Sequence, residues 1–225
     1  MTTTIHLKVH GESSVRGLIE REIRASRLRD HMYVSSMESG DFDGSDLRRF
    51  IGQYRYFVAK IPWMLADLVD RLPGGVARDH LARNLEDELL NPTRLEIYDE
   101  SALAINAPLA DITNGMMNLI ATYDAVFATS EAVALAALLS YECQSPDIAR
   151  AVATGLRMNY GETTFAARYW DLAVGRDTRH SQWLYDGLDA LPCSEVELRR
   201  GIRIAVSAWC QFFDEQMVST LELAG

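Results

Sequence analysis

The segment SEAVALAALLSYE, residues 130–142, constrains this chain more than any other. Its apolar run from Ala132 to Tyr141 is too short to span a bilayer, for which about 20 residues are needed. It also lacks the polar stripe that a surface helix carries. A helix of this composition is expected at the centre of a bundle, covered by other helices. Ser130 is placed to cap its start, and Glu142 is the one charged residue near its end. An unpartnered carboxylate in such surroundings is costly, so Glu142 requires an exposed position or a partner, and a divalent metal would be one.

The rest of the chain supplies the helices that such a centre needs. Helical periodicity dominates, and alternating strand-like runs between turn dipeptides are almost absent. A first helix is expected from about Ser14 to Met32, with Val15, Leu18, Ile19 and Ile23 as its apolar stripe. A second starts near Ser45 and Asp46 and reaches Leu72, with Pro62 predicted to kink it. After Pro73-Gly74-Gly75, ARDHLARNLEDELL reads as a helix ending by Asn91-Pro92. TRLEIYDESALAI and PLADITNGMMNLIATYDAVFATS are two more. Ser145-Pro146 starts another, as an N-cap followed by proline at the first helical position. Ser194 to Glu197, SEVE, forms a capping box for the last. No linker, repeat or charge block divides the 225 residues. The fold class expected is all-α, one domain over residues 1–225, a bundle of seven to nine helices.

Charge narrows the partners. With 32 acidic against 22 basic residues the net charge is -10, which would repel nucleic acid and anionic membrane surfaces alike. A small-molecule substrate or another protein fits better. Cys143, Cys193 and Cys210 are odd in number and widely spaced, matching neither a disulfide framework nor a zinc knuckle. A reducing cytoplasm is the simplest setting, and MTTTIHLKVHGESS at the N-terminus lacks the apolar core of a signal peptide.

Three places put acidic or imidazole groups where a core face is expected. One is NLEDELLNPTRLE, with Glu88 leading and Glu96 second. Another is Glu142. The third lies in YWDLAVGRDTRHSQW, where Asp177 and His180 stand three residues apart and so share one helix face. Carboxylates with a histidine are how helical bundles hold non-haem iron or manganese. Ordinary explanations exist for each. Glu88 sits in an EDE run that a solvated helix end also explains, and Asp177 and His180 would serve as a cap and a surface histidine. His80 could share a face with Asp87. Tyr54, Tyr56, Phe57, Trp63 and Tyr160 read as core aromatics; of these, Tyr54, Phe57 and Tyr160 are candidates to line a substrate pocket.

The order of these residues resembles that of the haem-oxygenase-like diiron oxidases and oxygenases. The match comprises a leading glutamate, Tyr141-Glu142-Cys143-Gln144-Ser145-Pro146-Asp147-Ile148-Ala149, Gly155-Leu156, Tyr160-Gly161, and Trp170 through Asp177 to His180. QYRYFVAKIP resembles the family's aromatic second helix. The resemblance implies a haem-oxygenase-like fold, iron as cofactor (two ions, or one), and dioxygen as co-substrate. It also implies oxidation of a small amino-acid- or fatty-acid-derived metabolite, and homodimerisation through long helices. Glu88, Glu142, Asp177 and His180 would be the metal ligands. Two departures stand out. The family places a histidine four residues before Asp177, where this chain has Ala173. It places another after the leading glutamate, and none occurs between Glu88 and Ile105; Glu96, or Glu88 itself, would have to fill that position. A cofactor-free or single-metal enzyme on the same fold, and a helical binding protein, are the alternatives. Cys143 is a further candidate, because thiaminase relatives on this fold use a catalytic cysteine.

Overall fold

Capping residues set most of the helix boundaries in the computed structural model, which describes residues 14–107, 109–161 and 165–223. Ten α-helices occur among them: α1 (Val15–Ala25), α2 (Met32–Ser39), α3 (Gly44–Arg71), α4 (Val76–Leu89), α5 (Arg94–Leu103), α6 (Asn114–Phe127), α7 (Glu131–Glu142), α8 (Ser145–Tyr160), α9 (Arg168–Asp189) and α10 (Glu195–Leu223). Short 3₁₀ turns lie at Leu28–Asp30 and Phe165–Ala167, and no strand is present among the described residues. Ser14, Thr93, Thr113 and Ser130 each accept a backbone N–H from the first turn of the helix they precede. All of the N-terminal run read for a leader except Ser14 lies outside the described residues.

The helix predicted over 14–32 ends at Ala25, and a separate helix, α2, begins at Met32. Ser26 leaves the helical region (φ -153°, ψ 63°), and the Leu28 N–H donates to Gln144 Oε1 at 2.8 Å. A tertiary hydrogen bond therefore holds the break, and His31 Nδ1 restarts the helix by accepting from Tyr33 N at 3.2 Å. α3 runs through Pro62 without ending there, and Asp43, not Ser45 or Asp46, is its cap, with Asp46 completing a capping box.

α7 occupies the centre, buried from Ala132 to Glu142. α10 lies along it, with Gly201 at the closest approach, where a Cβ would meet the Val133 carbonyl oxygen at 2.3 Å. α9 packs on α4, α7 and α8, which brings the three segments with candidate ligands onto one helix. No helix among the described residues is long and apolar enough to cross a membrane.

An aromatic layer fills the space between α3, α7, α9 and α10. Tyr141 stacks on Trp209 with centroids 4.2 Å apart and planes at 13°, and Phe57 meets Tyr123, Tyr141 and Trp209 edge-on. Offset and edge contacts of this kind add roughly 0.5–1.5 kcal/mol per pair to the burial itself. Tyr54, Phe57 and Tyr160, the candidates for a pocket wall, each have defined packing or hydrogen-bond partners. Tyr54 and Phe57 are core residues, the Tyr54 hydroxyl bonding that of Tyr141. Tyr160 instead donates to the Gly44 carbonyl at 2.8 Å and accepts from Arg48 at 2.7 Å. Tyr56 bonds the Ala110 carbonyl at 2.7 Å, and Trp63 is exposed.

Candidate metal centre

Glu88, Glu142, Asp177 and His180 converge in the interior. Each is at most 2 % exposed. Glu88 comes from the last turn of α4, Glu142 from the end of α7, and Asp177 and His180 from the middle of α9. One ligand atom each of Glu142, Asp177 and His180 lie within 4.8 Å of one another. The His180 Nδ1 is 3.7 Å from Glu88 Oε1 and 3.9 Å from Glu142 Oε2.

The imidazole is oriented from behind. His180 Nε2 lies 3.1 Å from Asp87 Oδ2, and Arg179 holds the same carboxylate oxygen at 3.1 Å. A proton on Nε2 is thus donated to Asp87, which leaves a lone pair on Nδ1. Burial pushes the His180 pKa down to about 4, so the ring is neutral, as a metal ligand must be. A carboxylate behind a histidine is the usual device for fixing the tautomer of a metal-bound imidazole. Asp87 escaped the sequence reading because its EDE run looked solvated.

The donor set fits a cation. Glu88 Oε2, Glu142 Oε2 and His180 Nδ1 are all buried without a hydrogen-bond partner. The Glu142 Oε2 atom and the His180 Nδ1 lone pair, 3.9 Å apart, repel, and a buried acceptor left unsatisfied costs about 1–3 kcal/mol or more when charged. Only a cation or protons resolve the arrangement. Burial raises the Glu88 pKa, with Arg94 opposing it, and raises that of Glu142 well above the ordinary carboxylate range, as expected where the charged form awaits a counter-ion.

Arg94, at the start of α5, enters the same cluster and was not foreseen. It is 4 % exposed. Its Nη1 donates to Glu88 Oε1 at 2.8 Å, its Nη2 is 2.5 Å from Asp177 Oδ1 in an ion pair lacking hydrogen-bond geometry, and its Nε donates to the Tyr169 hydroxyl at 3.2 Å. Ser145 holds the other Asp177 oxygen through its hydroxyl. Glu96 does not join the cluster. It completes a capping box at the α5 N-terminus, accepting from Thr93 N at 2.7 Å, and is exposed, because helix start and ligand position compete for one side chain. His80 faces Asp186 at 3.9 Å.

Cys143 does not resemble an activated nucleophile. It is half-buried on a crevice with Tyr185 and Pro146, and burial pushes its thiol up to about 12, against about 8.5 for a free cysteine. Because a raised thiol pKa depletes thiolate at lower pH, iodoacetamide should alkylate Cys143 slowly at neutral pH, with a rate still rising well above the ordinary thiol range. Rapid neutral alkylation, followed by peptide mass spectrometry, would contradict this.

Comparison with known proteins adds a family and a fold. A profile of iron-containing redox enzymes matches residues 48–214. A 4-aminobenzoate synthase of Chlamydia pneumoniae is 22 % identical over 171 residues, covering 73 % of this chain and 76 % of that protein. A CADD-like protein of unknown function from Nostoc punctiforme superposes with a TM-score of 0.77 at 13 % identity, over 92 % of this chain and 98 % of that one. A TenA homologue from Pseudomonas syringae pv. tomato gives 0.75 at 14 %, over 91 % and 93 %. At such identities these structures establish the fold alone, and it is the haem-oxygenase-like fold that the sequence resembles.

Proposed function

The chain belongs to the family of iron-containing redox enzymes, and from that premise we propose that it holds iron at Glu142, Asp177 and His180, with Glu88 beside them, and uses dioxygen to oxidise a small organic molecule. The observation that carries the reading is the gathering of Glu142, Asp177 and His180, with one ligand atom of each within 4.8 Å of the others, where Glu142 Oε2 and His180 Nδ1 are buried without a hydrogen-bond partner. Hard carboxylate oxygens with one imidazole suit ferrous iron. Bound there, iron would supply the one-electron chemistry with dioxygen that no side chain can perform.

The chain's own groups divide the remaining work. Asp87 holds the proton on His180 Nε2, so that Nδ1 faces the site as an acceptor. Ser145 and Arg94 fix the Asp177 carboxylate from both sides. The Tyr169 hydroxyl, bonded to Arg94 and held between Tyr98 and Trp170, closes the site on the α5 side. The aromatic layer around Tyr141 and Trp209 keeps water out, which strengthens every charge interaction inside. The substrate class read from the family resemblance is an amino-acid- or fatty-acid-derived metabolite. An amino-substituted aromatic such as 4-aminobenzoate enters the product screen because the Chlamydia relative carries that name.

Anaerobic loading with Fe2+ followed by an oxygen pulse tests the reading. Iron should be retained through desalting, and oxygen should change the visible spectrum. His180→Ala should abolish retention, and Asp87→Asn should weaken it by about 10–100-fold, the usual effect of removing a carboxylate behind a histidine ligand. A chain that retains no iron, or a His180→Ala variant that retains it unchanged, would contradict the proposal.

A further inference from the structure

We propose that the Arg94 guanidinium is a built-in cation standing where a second metal ion would otherwise be needed, so that the site takes one divalent ion per chain and not two. The inference rests on the metal-site reading above and deepens it. Its starting point is charge. The buried carboxylates of the cluster are Glu88, Glu142 and Asp177. Arg94 is paired to two of them, Glu88 at 2.8 Å and Asp177 at 2.5 Å. Three negative charges against one guanidinium leave two to be balanced, which one divalent cation does. A second divalent ion would leave the interior with two uncompensated positive charges, and buried charge without a partner is strongly disfavoured. Asp87 does not alter the sum, because Arg179 and His180 already hold it.

Geometry agrees with the charge. Of the four cluster acceptors without a hydrogen bond, Glu88 Oε2, Glu142 Oε2, Asp177 Oδ1 and His180 Nδ1, Arg94 is ion-paired to Asp177 Oδ1 alone. The guanidinium uses Glu88 Oε1 and Asp177 Oδ1, and Ser145 uses Asp177 Oδ2. Glu88 thus gives Oε1 to the arginine and keeps Oε2 buried without a partner. On the arginine's side no second group of histidine, cysteine or carboxylate ligands occurs among the described residues. Ala173, one helical turn before Asp177 on the same face of α9, has no ligand atom, and the gap it lines with Arg94, Ile97, Tyr169, Leu172 and Arg176 is too narrow for a water-sized sphere. Arginine suits this post better than lysine would, because its planar fork reaches two carboxylates at once and never loses its charge. Arg94 is accordingly a positioning residue. It holds Glu88 and Asp177 and sets how many ions the carboxylates can accept.

The experiment counts ions on the intact chain. Purified protein is stripped of metal, dialysed anaerobically against Fe2+ and separately against Mn2+, and analysed for metal per chain; the manganese form is examined by electron paramagnetic resonance. The expected result is one ion per chain and a magnetically isolated Mn2+ spectrum. Two ions per chain with an exchange-coupled spectrum would overturn this proposal while leaving the metal-site reading standing. No bound ion of either kind would instead overturn the metal-site reading, and this proposal with it. Arg94→His combined with Ala173→His removes the resident cation and places an imidazole on each side of the gap, and should raise the count to two with coupling. A folded double variant that still binds one ion would reject Arg94 as the determinant. Arg94→Lys, which keeps the charge, should keep the count at one, and a count of two there would likewise reject it.

Discussion

Arg94→Met should destabilise the metal-free protein by about 3–5 kcal/mol, the range found when one partner of a buried ion pair is deleted. Methionine roughly fills the volume of the arginine stem, so packing changes little. What is lost is charge and hydrogen bonding. Glu88 and Asp177 would keep their burial but lose their cation, and the Tyr169 hydroxyl would lose its donor. Proton linkage supplies a second signature. Burial raises the Glu88 pKa, and Arg94 is the first of the influences that oppose it. Without the arginine the folded-state pKa rises further, so the folded state binds more protons than the unfolded one over a wider interval. Stability then falls as pH rises through that interval, and the deficit of the variant should widen from acid toward neutral pH. Urea unfolding of metal-stripped protein at several pH values measures both effects. Divalent metal should return part of the loss, since a ligand at 100 times its Kd stabilises the folded state by about 2.7 kcal/mol. A deficit below about 1 kcal/mol at neutral pH would mean that the pair is not the buried unit described.

The sequence carried the helices because their signals are local. Thr93 with Glu96 and Ser194 with Glu197 are capping boxes that can be read within four residues, and both form. The break between α1 and α2 is not local, since it is held by Gln144, more than a hundred residues away. The same division runs through the site. Glu142 stood out because an apolar helix leaves a carboxylate nowhere to go, and Asp177 with His180 because three-residue spacing fixes a shared face. Arg94 and Asp87 gave no such sign. An arginine one residue inside a helix start, and an aspartate within an acidic run, look solvated until α9 packs across α4 and α5. Glu96, the second candidate on that segment, has a residue type that suits a metal and a position that suits a cap, and the backbone N–H groups of the first turn claim it. Ala173 was noticed only as an absence, and its meaning depends on the guanidinium beside it.

Trp209→Ala is expected to cost about 3–5 kcal/mol, the usual range for truncating a buried tryptophan. In a protein of this length that corresponds to a fall in Tm on the order of ten degrees. Trp209 is fully buried. It stacks on Tyr141 at 4.2 Å, meets Phe57 edge-on at 4.7 Å, and donates its indole N–H to the Tyr123 hydroxyl at 3.1 Å. Truncation leaves a void among rigid rings that cannot collapse easily, and strips a buried hydroxyl of its donor. Trp209→Phe should cost markedly less, because it retains most of the ring contact and loses chiefly the hydrogen bond. The effect should also reach the metal ligands. Tyr141 immediately precedes Glu142, and the Tyr141 ring is held between Trp209, Phe57 and the Tyr54 hydroxyl. Releasing one side of that ring lets the end of α7 shift, so Trp209→Ala should weaken metal retention while making no direct contact with the ion. Thermal unfolding with and without divalent metal separates the two effects. A loss of stability with metal affinity unchanged would show that the aromatic layer supports the fold without positioning Glu142, whereas a Tm within about two degrees of the unaltered protein would mean that Trp209 is not the packed keystone its contacts indicate.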